Sequence, residues 1–323
     1  MPDMLELPVP FIANQLAKGS VVPFLGAGAN LYDPSYTLNG QSPKLLPSGK
    51  DLIDILVKRF GFPEGEERNL MRVSLYAELL AGSSELYGSL NQVFTDTYSV
   101  MPIHTMLATL PKTVANKGYP KPKLLIVTTN YDDLLEEAFR AADEPFDLVC
   151  YQINPADSGE PNVFYHYPDG KGAGIRINKA NKYVEVSPEK SHVIFKIHGS
   201  IYRANTDLNS YVITEDDYIH YLARTDISNL VPRKISLRLQ ESHLLFLGYG
   251  LRDWNLRVLL YHIWSRALRR PRSWSIQLHP SNLDTALWKK NGVNVNSLPL
   301  KDFLEQLQSE IDKLPTIANG NVP

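Results

Sequence analysis

Four short segments carry residue types suited to ligand chemistry. They are Gly26-Ala27-Gly28-Ala29-Asn30, Thr128-Thr129-Asn130-Tyr131-Asp132, His198-Gly199-Ser200, and Gly248-Tyr249-Gly250 with Asp253 close behind. Glycines let the backbone turn sharply and approach a ligand, with free N–H groups available to a diphosphate. A neutral amide such as Asn130 can hold a sugar hydroxyl or a water. A neutral imidazole such as His198 can take a proton from either near pH 7. Each segment also has a simpler account. Thr128, Thr129 and Asn130 can cap the helix that follows, and Asp253 can cap another. A Gly-Ala-Gly turn can be a plain strand exit, and a lone histidine beside a strand can be a hydrogen-bonded core residue. The glycine turn is neither the full dinucleotide fingerprint nor a Walker loop, because no Gly-Lys-Ser/Thr follows it.

An apolar run of strand composition precedes each segment: Val21–Leu25, Leu124–Val127, Val193–Ile197 and His243–Leu247. Helical patterns separate the runs, as at Asp132–Phe139 and at Leu256, Leu259, Leu260, Ile263 and Trp264. Strands alternating with helices predict an α/β fold, with a parallel sheet and helices on both faces. The carboxyl ends of such strands converge on one crevice, where ligands bind. One such junction is unremarkable, but four in one chain are hard to assign to capping alone. Residues 31–47 read as a long loop, and the stretch near residues 50–116 as a helical insertion. Residues 152–190 read as an irregular insertion, a small hairpin or a lid. Trp274–Leu278 is expected as a last strand and Leu300–Leu314 as a C-terminal helix, followed by a flexible tail over 316–323.

The 33 Lys and Arg nearly balance the 35 Asp and Glu, so nothing draws the whole chain to nucleic acid or an anionic membrane. Direct nucleic-acid binding is not expected. The basic cluster Arg266–Arg272 reads as a solvated helix end, with a partner contact as the alternative. The single cysteine, Cys150, allows neither an internal disulfide nor a cysteine-based zinc site. No leader peptide and no membrane span is read from the sequence, so a cytoplasmic location is expected.

Taken in order, Gly26-Ala27-Gly28, Thr129-Asn130-Tyr131-Asp132, His198-Gly199 and Gly248-Tyr249-Gly250 resemble the sirtuin fold family. The closer resemblance is to the bacterial sirtuin-like, NAD-hydrolysing branch of anti-phage defence. It is carried by LPSGKDL at Leu46–Leu52, VIFKIHGSI at Val193–Ile201, ITEDDY at Ile213–Tyr218 and LLFLGYGLRDWNLR at Leu244–Arg257. The resemblance runs from about residue 5 to about residue 313. It implies a Rossmann-like sheet forming one NAD-binding domain over residues 1–315. It also implies NAD as substrate, with the diphosphate on Gly26, Ala27 and Gly28, and Asn30 and Thr129 in the same binding set. Asn130 would orient the nicotinamide ribose or the attacking water, and His198 would act as general base. Asp132 would meet the nicotinamide carboxamide, and Gly248, Tyr249 and Asp253 would serve the adenosine side. Related systems act as homo-oligomers or with a partner, either an ATPase or translocase or a short Argonaute-type protein. Deacetylating sirtuins carry a four-cysteine zinc module that this chain cannot build, so no zinc is expected. Asn30 stands where the family usually has Ser. Two other activities stay open: a non-catalytic NAD or ADP-ribose sensor, and a zinc-free deacylase or ADP-ribosyltransferase.

Overall fold

Strand residues in this chain alternate between two cores. Val21 and Leu25 enter one apolar cluster, while Val22 and Phe24 enter another. Phe195 and Val193 likewise oppose Ile194. Both faces of the sheet are therefore covered, as expected for apolar strands of a mostly parallel sheet. The computed structural model describes residues 7–31, 37, 40–153, 162–203, 205–222, 231–250, 254–265 and 271–317. Asp253 and most of the basic cluster at 266–272 lie outside the described residues.

The chain opens with α1 (Val9–Ala17) and β1 (Val21–Leu25), then runs through α2 (Gly49–Phe60), α3 (Leu70–Ala81), α4 (Ser83–Phe94) and α5 (Pro102–Ala115). The strand β2 (Leu125–Thr128) and the helix α6 (Leu134–Ala141) follow, then β3 (Phe146–Gln152), β4 (Val163–Tyr167) and β5 (Ile175–Arg176). Next come β6 (His192–Lys196), the short pair β7 (Gly199–Ser200) and β8 (Ser210–Tyr211), then α7 (Glu215–Leu222) and α8 (Arg233–Glu241). The last part holds β9 (His243–Leu247), α9 (Trp254–Ser265), β10 (Ser273–Gln277), α10 (Asn282–Lys290), β11 (Val293–Ser297) and α11 (Leu300–Asp312).

Among the described residues, one sheet has the order β11-β10-β9-β1-β2-β6-β3-β4-β5. Its pairings are parallel from β11 through β3. β4 and β5 are antiparallel, so the described part of 152–190 adds a hairpin to the sheet edge. β11 and α10 were not anticipated. The repeat Val293-Asn294-Val295-Asn296 alternates with period two, yet its polar half resembles a loop.

Helices α1, α5, α6 and α11 supply the first core, and α8, α9 and α10 the second. Within the helical stretch near residues 50–116, α2, α3 and α4 form a third core around Leu56, Ala77 and Leu90. That core also takes Ile201, Tyr211 and Ile213 from around β7 and β8. By contrast, α5 packs on the main sheet. The third core is fastened to the sheet by aromatic edge contacts of Tyr131 with Phe94 and Tyr211. The start of α2 is defined by a capping box, in which Ser48 and Asp51 exchange backbone and side-chain bonds. These bonds hold the Asp51 carboxyl below the usual carboxylate range.

Candidate active site

β1 lies between β9 and β2, and β6 lies on the far side of β2. All four strands run parallel, so the turns that follow them open at one edge of the sheet. There Ala27, Gly28, Asn30, Thr129, Asn130, Asp132, His198, Gly248 and Tyr249 line one cavity of about 450 Å³. Leu46, Leu52, Leu70 and Phe94 from the helical region form its apolar wall. A second cavity, of about 590 Å³, shares Gly28, Gly248, Tyr249 and Gly250 with the first. Ile276, Gln277, Leu298 and Pro299, from the ends of β10 and β11, line it too, with Lys301 and Asp302 at the start of α11. Two cavities thus meet at a glycine waist.

The glycines hold that waist by close approach. A Cβ on Gly28 would lie 2.8 Å from Gly248 O, and one on Gly26 would lie 2.5 Å from Tyr249 Cδ2. Gly248 has φ +62°, and a Cβ there would fall 2.2 Å from Ala29 N. Only glycine fits such backbone-to-backbone contact. Of the three amides expected to meet a diphosphate, on Gly26, Ala27 and Gly28, two are already engaged within the protein. Gly26 N donates to Leu247 O (3.1 Å) and Gly28 N to Gly248 O (2.9 Å). Extension of the β1–β9 pairing into the turn consumes both donors. Gly26 also lines neither cavity.

The turn after β2 is tied to β1. Thr128 Oγ1 donates to Leu25 O (3.0 Å) and accepts from Asn130 N (3.0 Å). Asn130 Nδ2 donates to Gly26 O (3.1 Å). Thr128 and Asn130 therefore do not cap α6, whose N-cap is Asp133. The carboxylate that meets the helix start is Asp132, whose Oδ1 accepts from Leu134 N (3.2 Å). Its Oδ2 accepts from Asn30 Nδ2 (2.8 Å).

Behind this turn lies a feature that sequence reasoning missed. Lys196, the last residue of β6, is fully buried, and its Nζ sits 2.8 Å from Glu136 Oε1 on α6. The same Nζ donates to Tyr131 O (3.3 Å) and to Asp132 O. One buried cation thus holds two carbonyls of the turn that carries Asn130. Burial raises the Glu136 carboxyl above its ordinary range, outweighing the neighbouring Lys196 charge. A visible sign was the lysine interrupting the apolar run Val193–Ile197. A second unforeseen link is Arg203, which grips Asp133 in a two-bond fork at 2.6 and 2.8 Å.

His198 enters the cavity at the end of β6 and is 3% exposed. The ring of Tyr218 meets it edge-on, with centroids 5.5 Å apart. His104, on α5, is also buried; burial lowers it to about 4, against an opposing pull from Asp132. It is therefore neutral near pH 7, and its Nδ1 accepts from Met101 N at the start of α5. Among the described residues, no group of three or more His, Cys, Asp or Glu is placed to hold a metal.

Fold and site define a Rossmann-like α/β protein with a divided crevice at the carboxyl ends of its strands. A family model for a SIR2-like domain matches residues 124–296, more than half of the chain. The chain belongs to the SIR2-like domain family, which ties it to NAD chemistry. No curated protein matches it. Among the described residues, no helix is long and apolar enough to cross a membrane.

Proposed function

We propose that the protein hydrolyses NAD at the bond between nicotinamide and ribose, releasing nicotinamide and ADP-ribose. The observation that carries this reading is that Asn130 and His198 line one cavity, which shares its Gly28 and Gly248 wall with a second. A dinucleotide has two ends of different chemistry joined by a narrow diphosphate, and this paired shape suits it. The apolar walls at Ile276, Leu298 and Pro299 suit an adenine. The Asn130 turn and His198 face the nicotinamide ribose.

Cleavage of a glycosidic bond passes through a cation-like sugar and needs water placed on the far face. Asn130 is held by Gly26 O through its Nδ2, which leaves its carbonyl oxygen to orient a ribose hydroxyl or that water. His198 takes a proton from the hydroxyl or water. With one cysteine the chain lacks the zinc module of deacetylating relatives, which favours NAD cleavage over deacylation.

The resemblance to the anti-phage branch supports a role as an NAD-depleting effector in the cytoplasm. Control would come from self-assembly or from a partner, an ATPase or translocase or a short Argonaute-type protein. The direct test incubates the purified chain with NAD and follows free nicotinamide, with and without the product of its genomic neighbour. General-base help is typically worth about 10²–10⁴-fold, so His198→Ala should stay folded and lose most turnover. Near-wild-type NAD consumption by folded His198→Ala would refute the assignment. Binding of ADP-ribose with no turnover under any condition would identify a sensor instead.

A further inference from the structure

β11 ends the sheet: β10 pairs on one side of it, and among the described residues no strand pairs on the other. Ser273 N donates to Gly292 O (3.2 Å) and Leu298 N to Gln277 O (3.0 Å), which fixes the side each residue presents. The even-numbered residues of this strand turn their backbone groups to β10, so Val293, Val295 and Ser297 turn theirs outward. Proteins guard such edges with charge, proline, a bulge or a cover, because a row of open N–H and C=O groups is a template for another strand. Gly292–Leu298 carries no charge and no proline. Its register with β10 is unbroken from Val293 to Ser297, so no bulge turns the edge away. The helix beside this edge is α10, which packs on β11. Its Leu283 is 78% exposed, and Leu287, one turn on, is half-buried.

We propose that the open edge of β11 is the interface with a second copy of this chain, paired antiparallel across a two-fold axis at Val295. The occupant follows from self-complementarity. An axis normal to the sheet sets Val295 against Val295 and Val293 against Ser297, and in each such pair both residues present outward backbone groups. The sheet then runs on from one copy into the other, and both copies of α10 fall on the same face of it. A five-residue strand alone is too small for a stable interface, so these helices, with the exposed Leu283, must add apolar area. Charge agrees with the antiparallel direction. The exposed Lys289 and Lys290 precede the strand, and beyond its other end the exposed Asp302 and Glu305 outnumber Lys301. Antiparallel pairing brings the first end of one copy beside the second end of the other. The strand leads directly into Leu298 and Pro299 of the second cavity, so the joint lies beside that cavity. This inference goes beyond the NAD-cleavage reading and does not depend on it.

The test uses the residues between the paired ones. In this register Asn294 lies directly opposite Asn296 of the second copy, and like charges directly opposite across a strand pair repel. Solution mass is measured by sedimentation for the full chain, for Asn294→Lys with Asn296→Lys, and for Asn294→Asp with Asn296→Asp. The wild type should contain twice as many chains of 36.4 kDa as either variant. Mixing the two variants in equal amounts sets a lysine against each aspartate and should restore the wild-type mass. Val295→Pro serves if the charged variants do not fold: it removes only an N–H that β10 does not use, and it should also halve the mass. A monomeric wild type overturns the inference, as do folded variants with the wild-type mass. A mixture that stays at the halved mass overturns the antiparallel register and the inference with it. Nicotinamide release by the same samples keeps the two readings apart. An active monomer leaves NAD cleavage standing without this interface, and an inactive dimer that the variants split leaves the interface standing without NAD cleavage.

Discussion

Lys196 and Glu136 offer a stability test with a sign that geometry alone sets. Lys196 is fully buried and Glu136 is 2% exposed, so neither charge has water to fall back on. Removing one partner of such a pair typically costs about 3–5 kcal/mol, because the other charge is left buried alone. Lys196→Met also strips the lysine donor from Asp132 O and one of two donors from Tyr131 O. For a chain of 323 residues the unfolding entropy is about 0.7 kcal/mol per degree, so either single change should lower Tm by about 4–7 °C. The double variant Lys196→Met with Glu136→Leu removes both charges and leaves Asp132 O without its lysine donor, while Tyr131 O keeps Ile201 N. Such a carbonyl costs about 1–3 kcal/mol at most. The double variant should therefore be no less stable than either single one, with a coupling of about 3 kcal/mol or more in the cycle. It should still lose hydrogen-exchange protection at residues 129–134, and with it NAD turnover, because the turn has lost its anchor. Denaturant unfolding of the four proteins, with amide exchange resolved by peptide, measures all of this. Additive losses would refute the buried-pair account. A double variant with wild-type protection over 129–134 would refute the anchoring role.

The glycine waist predicts a sharp contrast. Gly248→Ala, with φ +62° and a Cβ 2.2 Å from Ala29 N, should cost at least about 2 kcal/mol and deform both cavities. Gly250→Ala, whose Cβ meets nothing within 4 Å, should stay within about 0.5 kcal/mol of wild type in the same melts. A pH series probes the buried histidines. His104 and His192 are each lowered to about 4 by burial, so the unfolded chain binds more protons between about 4 and 6.5. Stability should therefore rise with pH across that window and level off above it, by on the order of 3 kcal/mol for His104. The groups facing them are Asp132 and Lys196 at His104, and Glu144, Lys121 and Lys123 at His192. Urea midpoints at pH 5 and pH 7 with equal stability, in the wild type but not in His104→Gln, would contradict this.

What the sequence disclosed was whatever depends on local pattern. The four apolar runs before GAGAN, TTNYDD, HGS and GYG are strands because apolar residues without helical spacing have a short extended form as their simplest burial. Parallel pairing then follows from the helices between them, and it alone brings Asn130 and His198 to one cavity. Side-chain partnership was not legible. Gly26 and Gly28 look like free anion-binding amides until β9 is known to pair beside β1 and take both donors. Lys196 looks like a stray charge in a strand until α6 sets Glu136 against it from 60 residues away. Asp132 carries a charge at a strand end and lines the cavity, and the sequence does not show that each of its oxygens also accepts a bond from within the protein. In this site the charged residues do the holding. The neutral amides Asn30 and Asn130 are each fixed through the side-chain nitrogen, and both line the cavity. On the NAD-cleavage reading, a cation-like sugar forms in this cavity, and neutral oxygens in fixed positions can guide its hydroxyls and a water.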